Sequence, residues 1–216
     1  MSPATATLIV FGIALPYPGI GSPTRGYREW MSSDGAFGEL LDAMKKVAAT
    51  LRDHGIDFAL AGGLAVYARG GAETEHDVDL IMSRRDADAA LDLLGNAGFR
   101  CERPPEGWLY KVYDEGGAMV DLIFSPNSRP EAVDAILERA DVLEVYAIRM
   151  KVMSVTDVLA TKLLAMKEHE VDYDDVLEIA RACREQIDWP QLRKLAGETP
   201  YASAFFTLVD ELGLAA

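Results

Sequence analysis

From residue 37 onward, hydrophobic positions follow two alternating periods. Phe37, Leu40, Leu41, Met44, Val47, Ala48 and Leu51 recur at steps of three and four, predicting an amphipathic helix that ends at the polar His54-Gly55 pair. Phe58-Ala59-Leu60-Ala61 reads as a short buried strand running straight into Gly62-Gly63, with a helix over 64–69 after that turn. Asp77-Val78-Asp79-Leu80-Ile81-Met82 alternates as a strand, with Val78, Leu80 and Met82 on one face and Asp77, Asp79 and Ile81 on the other. A helix follows over 86–97, with Ala87, Ala90, Leu91 and Leu94 on one side. Strands are predicted over 99–102, 108–113 and 118–124, the last two joined as a hairpin across Asp114-Glu115-Gly116-Gly117. Beyond Pro126 the pattern turns helical, over 131–139, 155–167, 174–184, 190–196 and 202–212, with one β-rich interval at 142–153.

The order of elements predicts an α+β architecture: a mixed-sheet module over 35–128 followed by a mainly helical lobe over 129–216. Residues 1–34 read as an appended arm. Pro16, Pro18, Gly19, Gly21, Pro23 and Gly26 punctuate it, and no period holds beyond the apolar run 8–15. Met31 precedes Ser32, Ser33 and Asp34, good helix-start residues, so a start of translation at Met31 would leave the earlier residues as an extension.

Composition narrows the picture. A chain of 216 residues, 50% hydrophobic and 26% charged, can bury a sizeable core. Its net charge of −14 argues against broad capture of nucleic acid on a basic surface, leaving room for a local basic track; Arg84, Arg85, Arg100, Arg103 and Lys111 are the candidates. The acidic excess lies mostly in the second half: residues 1–100 carry 9 basic and 13 acidic side chains, residues 101–216 carry 12 and 22. Cys101 and Cys183 lack metal-ligand spacing and the three histidines are scattered, which points to a reducing compartment without zinc. The run 8–15 is too short to span a bilayer and has no basic residue before it, so the expectation is a cytoplasmic protein with no membrane partner.

Three features converge on chemistry. Gly62-Gly63 sits at a strand-to-helix turn, where backbone N–H groups can approach phosphate oxygens. Asp77 and Asp79, two apart on a strand, project from one face; close carboxylates repel unless a cation lies between them, and hard oxygen ligands without a His or Cys pair favour Mg²⁺. Asp121 lies within the apolar strand Met119-Val120-Asp121-Leu122-Ile123-Phe124, where an unpaired carboxylate is costly. Either it pairs with a buried Arg or Lys, or it completes a metal site with Asp77 and Asp79. A three-carboxylate site on adjacent strands suits two-metal phosphoryl or nucleotidyl transfer.

The segment Leu60-Ala61-Gly62-Gly63-Leu64-Ala65-Val66-Tyr67, the interval to Asp77-Val78-Asp79-Leu80, and Asp121 on a later strand together resemble the minimal nucleotidyltransferases of the DNA polymerase β superfamily. Downstream, Asp157-Val158-Leu159-Ala160-Thr161-Lys162-Leu163-Leu164-Ala165-Met166 and Asp172-Tyr173-Asp174-Asp175-Val176 are similar to the helix and acidic segment of the AbiEii-like and mycobacterial MenT-type toxin nucleotidyltransferases. The resemblance spans about residues 37–185.

It implies a polymerase-β-like palm with a helical C-terminal lobe, Mg²⁺, and transfer of an NMP from a nucleoside triphosphate to an acceptor. On matching positions Gly62 and Gly63 would hold the triphosphate, Asp77 and Asp79 the metals, and Asp121 would be the third carboxylate, orienting the acceptor hydroxyl. Lys162 would reach phosphate oxygens, with Asp172 and Asp175 ordering it, although the acidic run 168–178 also fits a solvated face. Where members often carry Arg and Thr before the first catalytic Asp, this chain has Glu73 and Glu75, and Arg69 is the nearest basic substitute for nucleotide binding. The leading expectation is a toxin that adds nucleotides to RNA, most plausibly a tRNA acceptor end, held in check by an antitoxin or by modification. The alternatives are a transferase acting on a small hydroxylated molecule such as an aminoglycoside, with 168–175 as an acidic pocket, and a degenerate nucleotide-binding regulatory module.

Overall fold

The computed structural model describes residues 25–72 and 78–215, with side chains from residue 37 onward. Asp77, Glu73, Glu75 and the apolar run 8–15 lie outside the described residues.

Among the described residues, seven strands form one sheet. They are β1 (Phe58–Ala61), β2 (Val78–Met82), β3 (Arg100–Glu102), β4 (Leu109–Tyr113), β5 (Met119–Ile123), β6 (Asp141–Val145) and β7 (Ile148–Val152), in the spatial order β3-β4-β5-β2-β1-β7-β6. β2 runs antiparallel to β1 and parallel to β5, while β1 and β7 are parallel. The β6–β7 interval, read from sequence as part of the mainly helical portion, is therefore bonded into the same sheet. Its tight turn at Tyr146 (φ 49°) and Ala147 (φ 66°) uses residues that carry no turn signature, which is why the hairpin was not separable from the pattern. The β4–β5 hairpin did carry its signal: Asp114 Oδ1 accepts from the N–H groups of Gly116 (2.9 Å) and Ala118 (3.0 Å), closing the turn.

Helix α1 (Arg25–Asp53) starts earlier than the apolar period, two residues after Pro23, so Met31 to Asp34 lie within it instead of opening it. Its Met44, Val47, Ala48 and Leu51 are completely buried, and it packs on β5, β7 and the helix over 84–96. The short helix α2 (Gly62–Tyr67) follows β1 directly, and α3 (Arg84–Asn96) covers β3 and β4. Helix α4 (Ala132–Arg139) packs on β2. On β2 itself Val78, Leu80 and Met82 are fully buried on one face, leaving Asp79 and Ile81 on the other.

The C-terminal helices are α5 (Val155–Ala165), α6 (Tyr173–Ala182), α7 (Trp189–Ala196) and α8 (Pro200–Glu211). α5 is apolar nearly all round and packs against α2, α6, α7 and α8, which makes it the pivot between lobe and sheet. Its N-terminus is a reciprocal cap: Ser154 Oγ accepts from the Asp157 N–H (3.1 Å) and donates to Asp157 Oδ2 (2.6 Å). Asp157 is 2% exposed, and Arg139 at the end of α4 donates three hydrogen bonds to it at 2.6 to 3.2 Å. Those bonds hold the Arg139 guanidinium above its already high range, against the opposing effect of burial. Among the described residues no helix is long and apolar enough to cross a membrane.

Removing one partner of this pair leaves a carboxylate buried and uncompensated. Arg139→Met is expected to lower stability by about 2–4 kcal/mol in urea unfolding. The double replacement Arg139→Met with Asp157→Leu should regain part of the loss, since it removes the stranded charge.

Candidate active site

The pairing register assembles the site. β2 and β5 run in parallel with Asp79 opposite Asp121, so two carboxylates stand side by side on neighbouring strands and the same face. On the other side of β2, Ala61 is opposite Asp79, and Gly62 follows it at the start of α2. Gly62 adopts φ 58°, and a Cβ built there would collide with the Asp79 carboxylate. Glycine is thus required twice, for backbone conformation and for room. Gly63 occupies the next position of α2.

Asp121 is 7% exposed. Lys111 on β4 is its cross-strand neighbour and donates to it from Nζ at 3.1 Å (Oδ1) and 3.3 Å (Oδ2). This pairing with a lysine softens the repulsion between Asp79 and Asp121. Sequence reasoning had placed Lys111 only among the surface cations. The signal was there: a five-residue turn at 114–118 puts Lys111 and Asp121 at equal distances from it, hence opposite each other.

Above this face opens a cavity of about 590 Å³. Ala61, Gly62, Asp79, Ile81 and Ile123 form its sheet side, Trp108 and the turn Pro126–Ser128 one end, and α5 the facing wall through Val158, Thr161 and Lys162. Lys162 Nζ lies 2.6 Å from Asp175 Oδ2 on α6. Asp172 instead caps α6, accepting the Asp175 N–H at 3.1 Å, so it acts on Asp175 and not on the lysine. Of the acidic run after α5, Glu170 reaches the cavity, next to Lys167 at 3.6 Å. The turn residues Asn127 (φ 52°) and Ser128 (φ 58°) are both left-handed, and Asn127 Nδ2 is tied to the Thr161 carbonyl of α5 at 3.0 Å. These two residues, and Trp108, were not singled out from the sequence.

Arg69 is placed elsewhere. Its side chain is 8% exposed and fully engaged: Nε donates to the Met153 carbonyl, and Nη2 to the Val152 carbonyl and to Asp141 Oδ2, all at 2.8 Å. It fastens the end of α2 to the exit of β7 and does not line the cavity, contrary to its expected nucleotide contact. The proposed basic track is likewise neutralised residue by residue. Arg84 meets Asp88 (3.5 Å), Arg85 meets Asp86 (3.4 Å), Arg103 meets Asp88 (3.3 Å) and Arg100 pairs with Glu102. The Tyr110 hydroxyl donates to Asp88 at 2.6 Å and holds that carboxyl below its usual range, with Arg84 and Arg103 assisting.

Asp79 and Lys162 thus line one cavity beside a glycine turn, and Asp121 stands next to Asp79 in register. The family model described as "Uncharacterised nucleotidyltransferase" matches residues 38–209. The chain belongs to this nucleotidyltransferase family. It is an NTP-dependent transferase with a nucleotidyltransferase fold. Among solved structures it is similar to an antigenic nucleotidyltransferase-like protein from Paracoccidioides brasiliensis, at 22% identity and TM-score 0.51, over 81% of this chain and 88% of that one. It is also similar to ANT(2″)-Ia, solved in complex with adenylyl-2″-tobramycin, at 12% identity and TM-score 0.51, over 77% and 97%. At these identities the likeness is one of fold. No curated protein matches the chain at the sequence level.

The tightest geometric requirement in this nucleotidyltransferase is at Gly62. Gly62→Ala displaces the Asp79 carboxylate and strains a left-handed residue, so pyrophosphate release from NTP should fall by about 10²-fold or more. Thermal unfolding measured alongside separates this from global loss of fold; turnover at the wild-type level would contradict the placement.

Proposed function

We propose that this nucleotidyltransferase transfers an NMP from an NTP to the 3′ hydroxyl of an RNA, a tRNA acceptor end in the first instance, as the toxin of a toxin–antitoxin pair. The acceptor hydroxyl gives up its proton to a carboxylate of the site as its oxygen bonds to the α-phosphorus, and the bond to pyrophosphate breaks. Lys162 meets the triphosphate oxygens as they gather charge, and Asp175 keeps its ammonium aimed.

The donor chemistry fits Mg²⁺: Asp79 and Asp121 are adjacent hard oxygen donors. Among the described residues no group of three or more His, Cys, Asp or Glu side chains could hold a metal, and Asp77 lies outside them. Asp79 with Asp121 would hold the ion, the cation taking over from Lys111 the charge balance of Asp121. When bound, Mg²⁺ lowers the cost of the acceptor alkoxide and of the departing pyrophosphate.

The observation that carries the acceptor choice is the balance of charge in the cavity. Asp79 and Glu170 face Lys162 and Lys167 there, and no further residue of the acidic run lines it. A cationic aminoglycoside would call for several carboxylates, whereas an RNA end needs none. The toxin role is supported by the resemblance of the α5 and α6 segments to the MenT-type enzymes. The second reading, a small hydroxylated acceptor, is supported by the shared fold of ANT(2″)-Ia.

Incubation with each labelled NTP, Mg²⁺ and total tRNA is expected to label RNA, and induction of the wild-type chain to arrest growth. Asp79→Asn, Asp121→Asn and chelation by EDTA should each lower labelling by about 10²-fold or more. Labelling of tobramycin without RNA favours the second reading, and triphosphate binding without turnover a regulatory module.

A further inference from the structure

We propose that Trp108 is the stacking platform for the terminal base of the acceptor RNA, which enters over β4 and β5 while the triphosphate lies on the β1 side. The inference rests on the RNA-acceptor reading given above and deepens it.

Strand order separates the two substrates. In the run β4-β5-β2-β1, Asp79 stands between Gly62 at the end of β1 and Trp108 at the entry of β4. The glycine turn is on one side of Asp79, Asp121 and Trp108 on the other. A group that stacks on Trp108 thus belongs to the partner whose hydroxyl sits at Asp121, not to the donor.

The end of the cavity at Trp108 has the character of a ring-binding slot. Trp108 is the one aromatic side chain lining the cavity among the described residues, and it is 38% exposed. Its floor is Ile81 and Ile123, an apolar pair in register two residues beyond Asp79 and Asp121, about 7 Å along the strands. The position of Trp108 is built in. The N–H groups of both Phe124 and Ser125 donate to its carbonyl, at 3.1 and 3.2 Å, which is a β-bulge. A bulge at a strand end re-aims the neighbouring side chain, and here it also launches the turn to Asn127 and Ser128. That turn brings an amide and a hydroxyl to the cavity beside the indole. An indole face flanked by short polar groups accepts any base by stacking and offers its edge hydrogen bonds.

The test uses the full chain with Mg²⁺, ATP and tRNA. Trp108→Ala is expected to raise the KM for tRNA about tenfold, with the KM for NTP near wild type, and Trp108→Phe to restore most of the affinity. Intrinsic fluorescence should be quenched by an RNA trinucleotide ending in adenosine, more in wild type than in Trp108→Phe. A trinucleotide with an abasic 3′ ribose should quench wild type and Trp108→Phe alike. An unchanged KM for tRNA in Trp108→Ala overturns the platform while leaving the RNA acceptor intact. A rise in the KM for NTP equal to that for tRNA overturns it in favour of the donor base. Wild-type protein that labels no RNA removes the RNA acceptor itself, and the platform with it.

Discussion

Two like charges held side by side in a sheet are the constraint around which this nucleotidyltransferase is arranged. Asp79 and Asp121 are adjacent because β2 and β5 run parallel in a register that side-chain burial enforces. Val78, Leu80 and Met82 are fully buried on the opposite face of β2, so a slip of one residue would bring the carboxylate into the core and the apolar residues out. That burial stabilises a juxtaposition which electrostatics disfavours. Lys111 offsets part of the repulsion from the next strand, and Gly62 keeps the space beside Asp79 clear. Lys111 comes from β4 and Gly62 from the start of α2, which makes the site a property of the assembled sheet instead of any one motif.

The cavity has a second wall supplied by residues far away in the chain, and three polar ties hold it to the sheet. Arg69 binds the carbonyls of Val152 and Met153 where the chain leaves β7 for α5. The Arg139–Asp157 pair fixes the start of α5 against α4, and Asn127 fastens the turn after β5 to the Thr161 carbonyl in the middle of α5. Lys162 follows Thr161 directly, so the turn that leads away from the carboxylates also sets the height of the lysine. None of the buried side-chain nitrogens or oxygens among the described residues lacks a partner. A polar frame so fully satisfied favours one arrangement of the walls over neighbouring ones.

Much of this was legible in the sequence, for reasons that differ by element. Periodicity marks β1, β2, β5 and the C-terminal helices because each buries one face or nearly all of itself. The glycine turn and the aspartates were legible because they break that pattern where breaking it is expensive. What the pattern does not encode is pairing. Lys111 stood out only as a charge until the hairpin register set it opposite Asp121, and Arg69 fitted a vacant place in a motif until packing turned it toward β7. The β6–β7 turn is made by Tyr146 and Ala147, whose left-handed backbone has no compositional signature. Trp108 was one aromatic among several; a bulge two strands away from Asp79 gives it a position in the cavity. Motifs report local chemistry, and these residues act through non-local geometry.

The RNA acceptor proposed above has to be held by a chain of net charge −14. Long tracks of unpaired Arg and Lys give affinity through release of counterions, but here Arg84, Arg85, Arg100 and Arg103 each meet a carboxylate. What remains is concentrated around the cavity: Asp79 and Lys162 line it, and Ile81 and Ile123 lead to the Trp108 indole. On the proposed reading, an RNA acceptor is held there by its end rather than along its length.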